Sequence, residues 1–279
     1  KEVFDEMLAD KKNKGTQHTY TYAIEQCLNN FSEIDKLSIN KIDSKFVNDF
    51  DIYITDRVSG NTRYMIFCKF KALVNFAKKK GYYKKFNLDP FVDVKIKKSE
   101  TRKRNLNVDK LRTVINYKSQ NKNEQFALDV FKLSFFLIGI NNVDLFSKKL
   151  KINGDRLEYW RSKTGKFISV KIPDVVKDLL PKVINSELAE KSKSITSKVN
   201  NFLRIISLRL FNSKDLSSYW ARHTWATIAV DLGVSVDTVS YALGHKVANV
   251  NVTNVYIQYN RKKVDEASQK VIDYVLGNK

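Results

Sequence analysis

Up to about residue 95, the apolar positions recur every three to four residues, the spacing of one helix face. In QHTYTYAIEQCLNNF (17–31), Tyr20, Ile24, Cys27, Leu28 and Phe31 form such a stripe. Asp43 stands ahead of SKFVNDFDIYITDR, where a carboxylate can accept from the first free N–H groups of a helix. Asn61 or Thr62 opens a longer helix with Met65, Phe67, Phe70, Leu73, Val74 and Phe76 on its inner side. Gly81 follows AKKK, at the position a helix C-cap takes. This pattern predicts a small helical bundle.

Beyond residue 105 the helical spacing returns at 108–118 and 124–139. EQFALDVFKLSFFLIGI (124–140) is apolar on nearly every side, which predicts a helix through the middle of a core. Then the period drops to two. DRLEYWRSKTGKFISVKIP (155–173) alternates on both sides of SKTG, a hairpin with glycine at its turn. KKLKIN just before it can add a third strand, and Pro173 ends the last one. Helices resume at 174–181, 195–212, 221–232 and 235–243, with a short one near 252–258 and an amphipathic tail at 262–276. There is no internal repeat and no low-complexity segment. The expected fold is mainly α with a small antiparallel β-sheet (α+β). A helical domain at 1–95 is joined by a linker at 96–105 to a second domain at 106–279.

Charge adds a partner to this picture. The chain has 50 Lys plus Arg against 30 Asp plus Glu, a formal +20. That excess opposes compaction unless a polyanion neutralises it. Nucleic acid leads the candidates, with an anionic membrane surface or a generally lysine-rich proteome as rivals. KIKKSETRKRN (95–105) holds six basic residues and one acid. It is either a solvated loop or a segment that tracks phosphates. Residues 106–279 carry most of the remaining excess. Cys27 and Cys68 are the only cysteines, which suits a reducing compartment and makes no disulfide framework. The longest apolar run, LSFFLIGI, is too short to span a bilayer, and no signal peptide is expected.

The candidate chemistry lies in YWARHTWATIAVDLGVSVDTVSYALGHKVANVNVTNVY (219–256), which holds two of the three histidines. AVDLGVSVDTVSYAL has the look of a helix-turn-helix, with Gly233 at the turn and Ser235 as cap. A recognition helix there would present Val236, Asp237, Ser240 and Tyr241, none of which forks onto guanine or adenine. Two core helices with hydrogen-bonded histidines are the plain alternative for any single residue. Arg222-His223, Leu243-Gly244-His245 and Tyr256 together are more specific. In that order they resemble the catalytic core of the tyrosine recombinase (phage integrase) family: an Arg-His pair opening a helix, a glycine turn, an LGH, and a nucleophilic tyrosine about ten residues on. GNTRYMIFCKFKALVNFAKKKG (60–81) resembles the last helix of the family's core-binding domain. LSFFLIGINNVDLFSKKL (133–150) is similar to the segment of its first catalytic arginine, and SKTGK to the hairpin of its catalytic lysine. The most similar variety is the integrase of Bacteroides-type mobile elements.

The resemblance implies a site-specific recombinase that cleaves and rejoins double-stranded DNA through a 3′-phosphotyrosine, with no cofactor, metal or ATP. Such chemistry needs a nucleophile, donors for the phosphate oxygens and an acid for the departing 5′-oxygen. No acidic cluster suggests a two-metal nuclease instead. Tyr256 is then the nucleophile, with Tyr259 one helical turn on as the alternative. Arg222 forks onto the scissile phosphate, a role that Lys fills badly. His245 donates to a phosphate oxygen or positions the tyrosine, and His223 is a supporting residue. Lys163 is the general acid, with Lys166 as its rival. Tyr219 stands where the family usually has histidine. Asn141 stands where most members carry the first arginine, and asparagine cannot replace a guanidinium. Arg161, two residues before Lys163 and so expected on the same strand face, is the candidate substitute; the other reading is a clamp on flanking phosphates.

Phosphate contacts are expected from Arg63, Lys69, Lys71, Lys97, Lys98, Arg102, Lys103 and Arg104, with the two domains closing as a clamp around the duplex. The expected assembly is a homo-tetramer on DNA, with a monomer possible without it, in the bacterial cytoplasm at the nucleoid. The amphipathic tail is expected either on a neighbouring protomer or on its own domain. The start at KEVF fits removal of an N-terminal arm-binding domain. Two rival functions remain: a catalytically impaired, recombinase-derived DNA-binding protein, and a type IB-like topoisomerase.

Overall fold

A computed structural model of the chain describes residues 1–85, 89–100, 103–190, 194–245 and 254–277; for Glu190 and residues 254–260 it describes the backbone alone. The chain divides into two compact units, Lys1–Arg102 and Lys103–Lys279.

The first unit is all-helical among its described residues. Helix α1 (Glu2–Ala9) is followed by α2 (Lys14–Thr21), which continues through a π-helical stretch, Tyr22–Leu28, into Asn29–Phe31. Helices α3 (Ser44–Thr55) and α4 (Gly60–Lys79) complete it. Asp43 caps α3 by accepting from the Phe46 N–H at 3.0 Å. The long helix α4 starts one to two residues earlier than its sequence suggests, with Ser59 at the N-cap. It buries Ile66, Phe67, Phe70, Leu73, Val74 and Ala77, one face at 3.6-residue spacing. Gly81 ends it at φ 78°, and the Tyr82 N–H returns to the Ala77 carbonyl at 2.9 Å, an arrangement that favours glycine at the left-handed position. Phe31, Phe46, Phe50, Phe67, Phe70 and Phe91 meet at tilted or edge-to-face angles in its core. Fully burying each such ring contributes about 1.5–3 kcal/mol.

The basic segment is tied down at both ends. Ile96 packs on the first core, and Asn61 accepts from the Ser99 N–H at 3.1 Å. On the other side, Leu106 is buried in the second core and its N–H donates to the Thr224 hydroxyl at 3.0 Å.

The second unit is built around α6 (Lys122–Phe136), against which α11 (Ile195–Phe211) and α12 (Ser218–Asp231) pack. Ten of the fifteen residues of α6 are buried, from Glu124 to Phe136, which leaves a narrow polar stripe of Lys122, Gln125, Asp129 and Lys132 outward. Helix α5 (Val108–Asn116) precedes it and the short α7 (Asn142–Leu145) follows. The predicted helix end at 139 falls instead at Phe136, because Ile138 and Gly139 take left-handed φ of 57° and 67°.

Strands β1 (Lys151–Asn153), β2 (Arg156–Trp160) and β3 (Phe167–Lys171) form one antiparallel sheet in the order β1-β2-β3. Leu157, Tyr159, Ile168 and Val170 face the core, while Trp160 pairs with Phe167 on the outer face as the last rung before the turn. The predicted helix at 174–181 is two short ones, α8 (Asp174–Lys177) and α9 (Leu179–Ile184). Pro181 lacks the N–H that would bond back to Lys177 and so interrupts a continuous ladder. Helix α10 (Glu187–Glu190) is one further turn.

Helix α13 (Val236–Ala242) is capped by Ser235, which accepts from the Thr238 N–H. The two segments expected at 252–258 and 262–276 are one helix, α14 (Asn254–Leu276). From Arg261 onward it packs on its own unit. Val264, Val271, Ile272 and Val275 join the second core. Arg156 holds Asp265 at 2.8 and 3.1 Å, and Arg112 donates to the Tyr274 and Val275 carbonyls at the helix end. A cation there satisfies carbonyls that have no partner within the helix.

Candidate active site

Arg222, on the first turns of α12, is buried with 5% exposure. Its Nη1 donates to the Gly139 carbonyl at 3.0 Å, its Nη2 donates to the Leu243 carbonyl, and Nη2 lies 3.5 Å from His245 Nε2. Two stretches of chain far apart in sequence, at Gly139 and at Leu243–His245, therefore converge on one guanidinium. Gly139 permits this: a Cβ there would stand 2.5 Å from the Cβ and Cγ of Arg222. The glycine in LSFFLIGI is the sequence signal for that approach, and its link to Arg222 is visible only in three dimensions.

Arg161 is the second buried cation, also 5% exposed. The expectation that it shares a strand with Lys163 is corrected here. Strand β2 ends at Trp160, and Arg161 begins a turn in which its N–H bonds the Lys166 carbonyl and its carbonyl accepts from the Gly165 N–H. Because Tyr159 points inward, Arg161 does too. Its Nη1 donates to the Gly244 carbonyl at 2.7 Å, and its buried Nε has no hydrogen-bond partner. Gly244, at φ 62°, makes room: a Cβ would meet Arg161 Cδ at 3.1 Å and Ile168 Cδ1 at 2.8 Å. Thr164 also donates to the Gly244 carbonyl, and Lys166 Nζ to that of His245 at 2.7 Å. The LGH turn thus presents successive carbonyls to Arg222, Arg161 and Lys166.

The electrostatics follow from this crowding of like charge. Burial, and then the neighbouring Arg161, push Arg222 down to about 10, still charged at neutral pH. Lys166 is lowered by burial and by Arg161. His245, at the surface end of the cluster, is lowered by partial burial and by Arg222, Arg161, Lys163 and Lys166. Lys163 is exposed in the turn beyond Arg161. The turn is fixed by buried Asp144, whose Oδ1 accepts from the Ser162 N–H at 2.9 Å and from its hydroxyl at 2.6 Å. Asp144 was not singled out in the sequence; its role depends on α7 lying beside the hairpin.

Tyr219 is 41% exposed and sits edge-on to His223, one helical turn along α12, with ring centroids 4.7 Å apart. His223 is lowered by burial, then by Arg104, then by Arg222, so the segment following the unit boundary runs close to this helix. Asn141 is the N-cap residue of α7, and its side chain makes no capping bond. Tyr256 and Tyr259 lie on the first turns of α14, and their side chains are outside the described residues. Arg102 is outside them as well.

The remaining basic candidates divide into two sets. In the first unit, Arg63 makes a two-point pair with Asp51 at 2.5 and 2.7 Å and also donates to the Lys95 carbonyl. Lys71 pairs with Asp89 at 3.1 Å, and Lys69 lies 4.7 Å from the Tyr20 ring centre. Lys97 and Lys98, and in the second unit Lys103 and Arg104, are exposed. Among the described residues, no group of three or more His, Cys, Asp and Glu could hold a metal ion, and no helix is long and apolar enough to cross a membrane.

Comparison with known proteins bears on the two units differently. Residues 1–98 match the phage integrase SAM-like domain. No curated protein sequence matches the chain. Among solved structures, a lambda integrase (75–356) dimer bound to a COC′ core site is similar with a TM-score of 0.68 at 17% identity, over 93% of each chain. A lambda integrase tetramer bound to a Holliday junction gives 0.65 at 15% identity, over 94% of this chain and 76% of that one. XerH site-specific recombinase bound to difH substrate, a pre-cleavage complex, gives 0.55 at 17%, over 87% and 78%. Residues 1–98 thus carry a phage integrase SAM-like domain, and the chain shares the fold of these integrase and recombinase structures along almost its whole length.

Proposed function

We propose that the protein is a site-specific DNA recombinase that works through a 3′-phosphotyrosine. The observation that carries this reading is the pairing of two buried arginines, Arg222 and Arg161, with His245 at the mouth of the cluster. Two guanidiniums held by neutral carbonyls keep their full charge for an external anion, and a buried Nε on Arg161 is left without a partner. Preorganised cations of this kind act on charge that develops in a phosphoryl transition state.

In the proposed reaction the Tyr256 hydroxyl oxygen attacks the scissile phosphorus in line. The P–O bond to the 5′-oxygen breaks as the new P–O bond to tyrosine forms. The phenolic proton passes to a base at the site, and the leaving 5′-oxygen takes a proton from Lys163 or Lys166. Arg222 and Arg161 hold the non-bridging oxygens, with Arg161 supplying the charge that Asn141 lacks. The reverse reaction, on an incoming 5′-hydroxyl, reseals the strand. Double-stranded DNA as partner, and assembly of several copies on it, are part of this proposal. They are supported by the net charge and by the DNA-bound dimer and tetramer of lambda integrase.

One observation favours a second reading. Asn141 is neutral, and a chain whose catalytic charge has gone would bind DNA without cutting it. A duplex nicked beside the cleavage position traps the covalent product and separates the two. We expect a slow-migrating protein–DNA band on a denaturing gel, absent in Tyr256→Phe. Arg161→Ala should slow its formation by roughly 10²–10³-fold, the usual effect of losing one such donor, with Arg161→Lys in between. A wild-type chain that binds duplex but forms no band would establish the binding-only reading. Wild-type rates in both Arg161 variants would remove Arg161 from the mechanism.

A further inference from the structure

The outer face of the hairpin carries a feature that the proposed chemistry does not use. Trp160 is 62% and Phe167 40% exposed. They are direct cross-strand partners with ring centroids 5.4 Å apart and planes tilted by 59°. Cross-strand aromatic pairs are ordinary on a buried sheet face, but this one is turned to solvent. On its far side, Arg261 of α14 lies 5.7 Å from the Phe167 ring centre. The exposed Lys163 lies in the turn that follows Trp160, whereas the Lys166 ammonium is turned to the His245 carbonyl. Two large exposed rings beside a guanidinium, on a chain of net charge +20, match what takes up unpaired bases: stacking surfaces inside a positive groove.

We propose that Trp160 and Phe167 form a stacking platform for a nucleobase that has left the helix next to the cleaved phosphate. The deduction rests on the recombinase reading for its location, and on the aromatic pair and its charges for its chemistry. Trp160 precedes Lys163 by three residues, so even the fully extended length of that stretch would keep their Cα atoms within about 10 Å, and the turn brings them no farther apart. Duplex DNA advances 3.4 Å per nucleotide along a strand, which places the platform within about three bases of a phosphate held at Lys163. A strand cut there loses its tether on one side, and its terminal bases unstack at the least cost. The tilt of the two rings leaves Trp160 the more open face, so one base rather than a run of bases is the expected occupant. The other candidate occupant, a second copy of the chain, would bring a second net charge of +20 against the same cationic surface.

The probes are a twelve-residue oligothymidine, an abasic strand of equal length and charge, and a mixed-sequence duplex. Wild type should prefer oligothymidine to the abasic strand. Trp160→Ala should weaken oligothymidine binding about tenfold, within the range of one lost base–aromatic contact, while leaving the abasic strand and the duplex unaffected. Trp160→Phe should restore most of the loss, and Phe167→Leu should fall between the two. Equal weakening on the abasic strand, or no weakening on oligothymidine, overturns the platform. So does a change in self-association on duplex with base preference intact, which assigns the rings to a second copy. The nicked-duplex gel reads the recombinase reading separately: a covalent band with no base preference rejects only the platform, and base preference with no band rejects only the chemistry.

Discussion

Gly139 shows how a single missing side chain positions the buried Arg222 guanidinium. Its φ of 67° and the 2.5 Å that would separate a Cβ from Arg222 both forbid alanine in the observed arrangement. Gly139→Ala should therefore lower stability by at least about 2 kcal/mol in urea denaturation, the scale of backbone strain in this region of φ, and should also abolish covalent product formation by displacing Arg222. The two histidines by Arg222 give a pH signature. His223 and His245 are both lowered from their ordinary value of 6.5, so the unfolded chain binds protons that the folded chain refuses. Their contribution to stability is present above the unfolded value and is lost as pH falls through the depressed folded values. The thermal midpoint should drop between pH 7.5 and 5.5, and His245→Gln should reduce that drop.

At the level of elements, the decisive object is α14. The tyrosine-bearing turns and the amphipathic tail are one helix, and from Arg261 onward that helix is bolted to the unit it belongs to. Asp265 takes both Nη atoms of Arg156, whose Nε is in turn held by the Ser169 hydroxyl at 2.7 Å. This joins the helix directly to β2 and β3. Removing the carboxylate leaves a half-buried guanidinium without its partner, a loss of about 1.5–3 kcal/mol for hydrogen bonds to charged groups. Asp265→Ala should show that loss in denaturation. If the helix carries Tyr256 to the phosphate as proposed, it should also slow covalent product formation more than duplex binding. An Arg156→Lys variant, which keeps the charge but not the two-point geometry, should be intermediate in both.

Across the whole molecule the dominant quantity is the net charge of +20, and the structure sorts which cations are available to an external polyanion. Arg63 and Lys71 are engaged with Asp51 and Asp89. Lys97, Lys98, Lys103 and Arg104 are exposed on either side of the unit boundary. Replacing these four by alanine should therefore weaken duplex binding and flatten its dependence on salt. Each phosphate contact contributes roughly 0.9 to the logarithmic salt slope, so the slope should fall by about 3–4 if all four touch phosphates. Replacing Arg63 should act mainly on stability instead, because it leaves Asp51 partly buried without its partner.

The sequence alone determined what depends on local spacing: the helical stripes, the Asp43 and Ser235 caps, the change to period two at the hairpin, and the motif order that marked Arg222 and His245. These rest on interactions within a few residues, which periodicity and capping chemistry record. Tertiary structure decided which charges meet. Arg161 and Arg222 lie 61 positions apart, yet both donate to carbonyls of one glycine turn, and the closeness of Gly139 to Arg222 spans the core. It also decided that Arg161 turns inward while Trp160 turns out, and that the tail stays on its own unit. Those outcomes follow from packing among distant segments and from where buried cations find neutral acceptors, neither of which has a period along the chain.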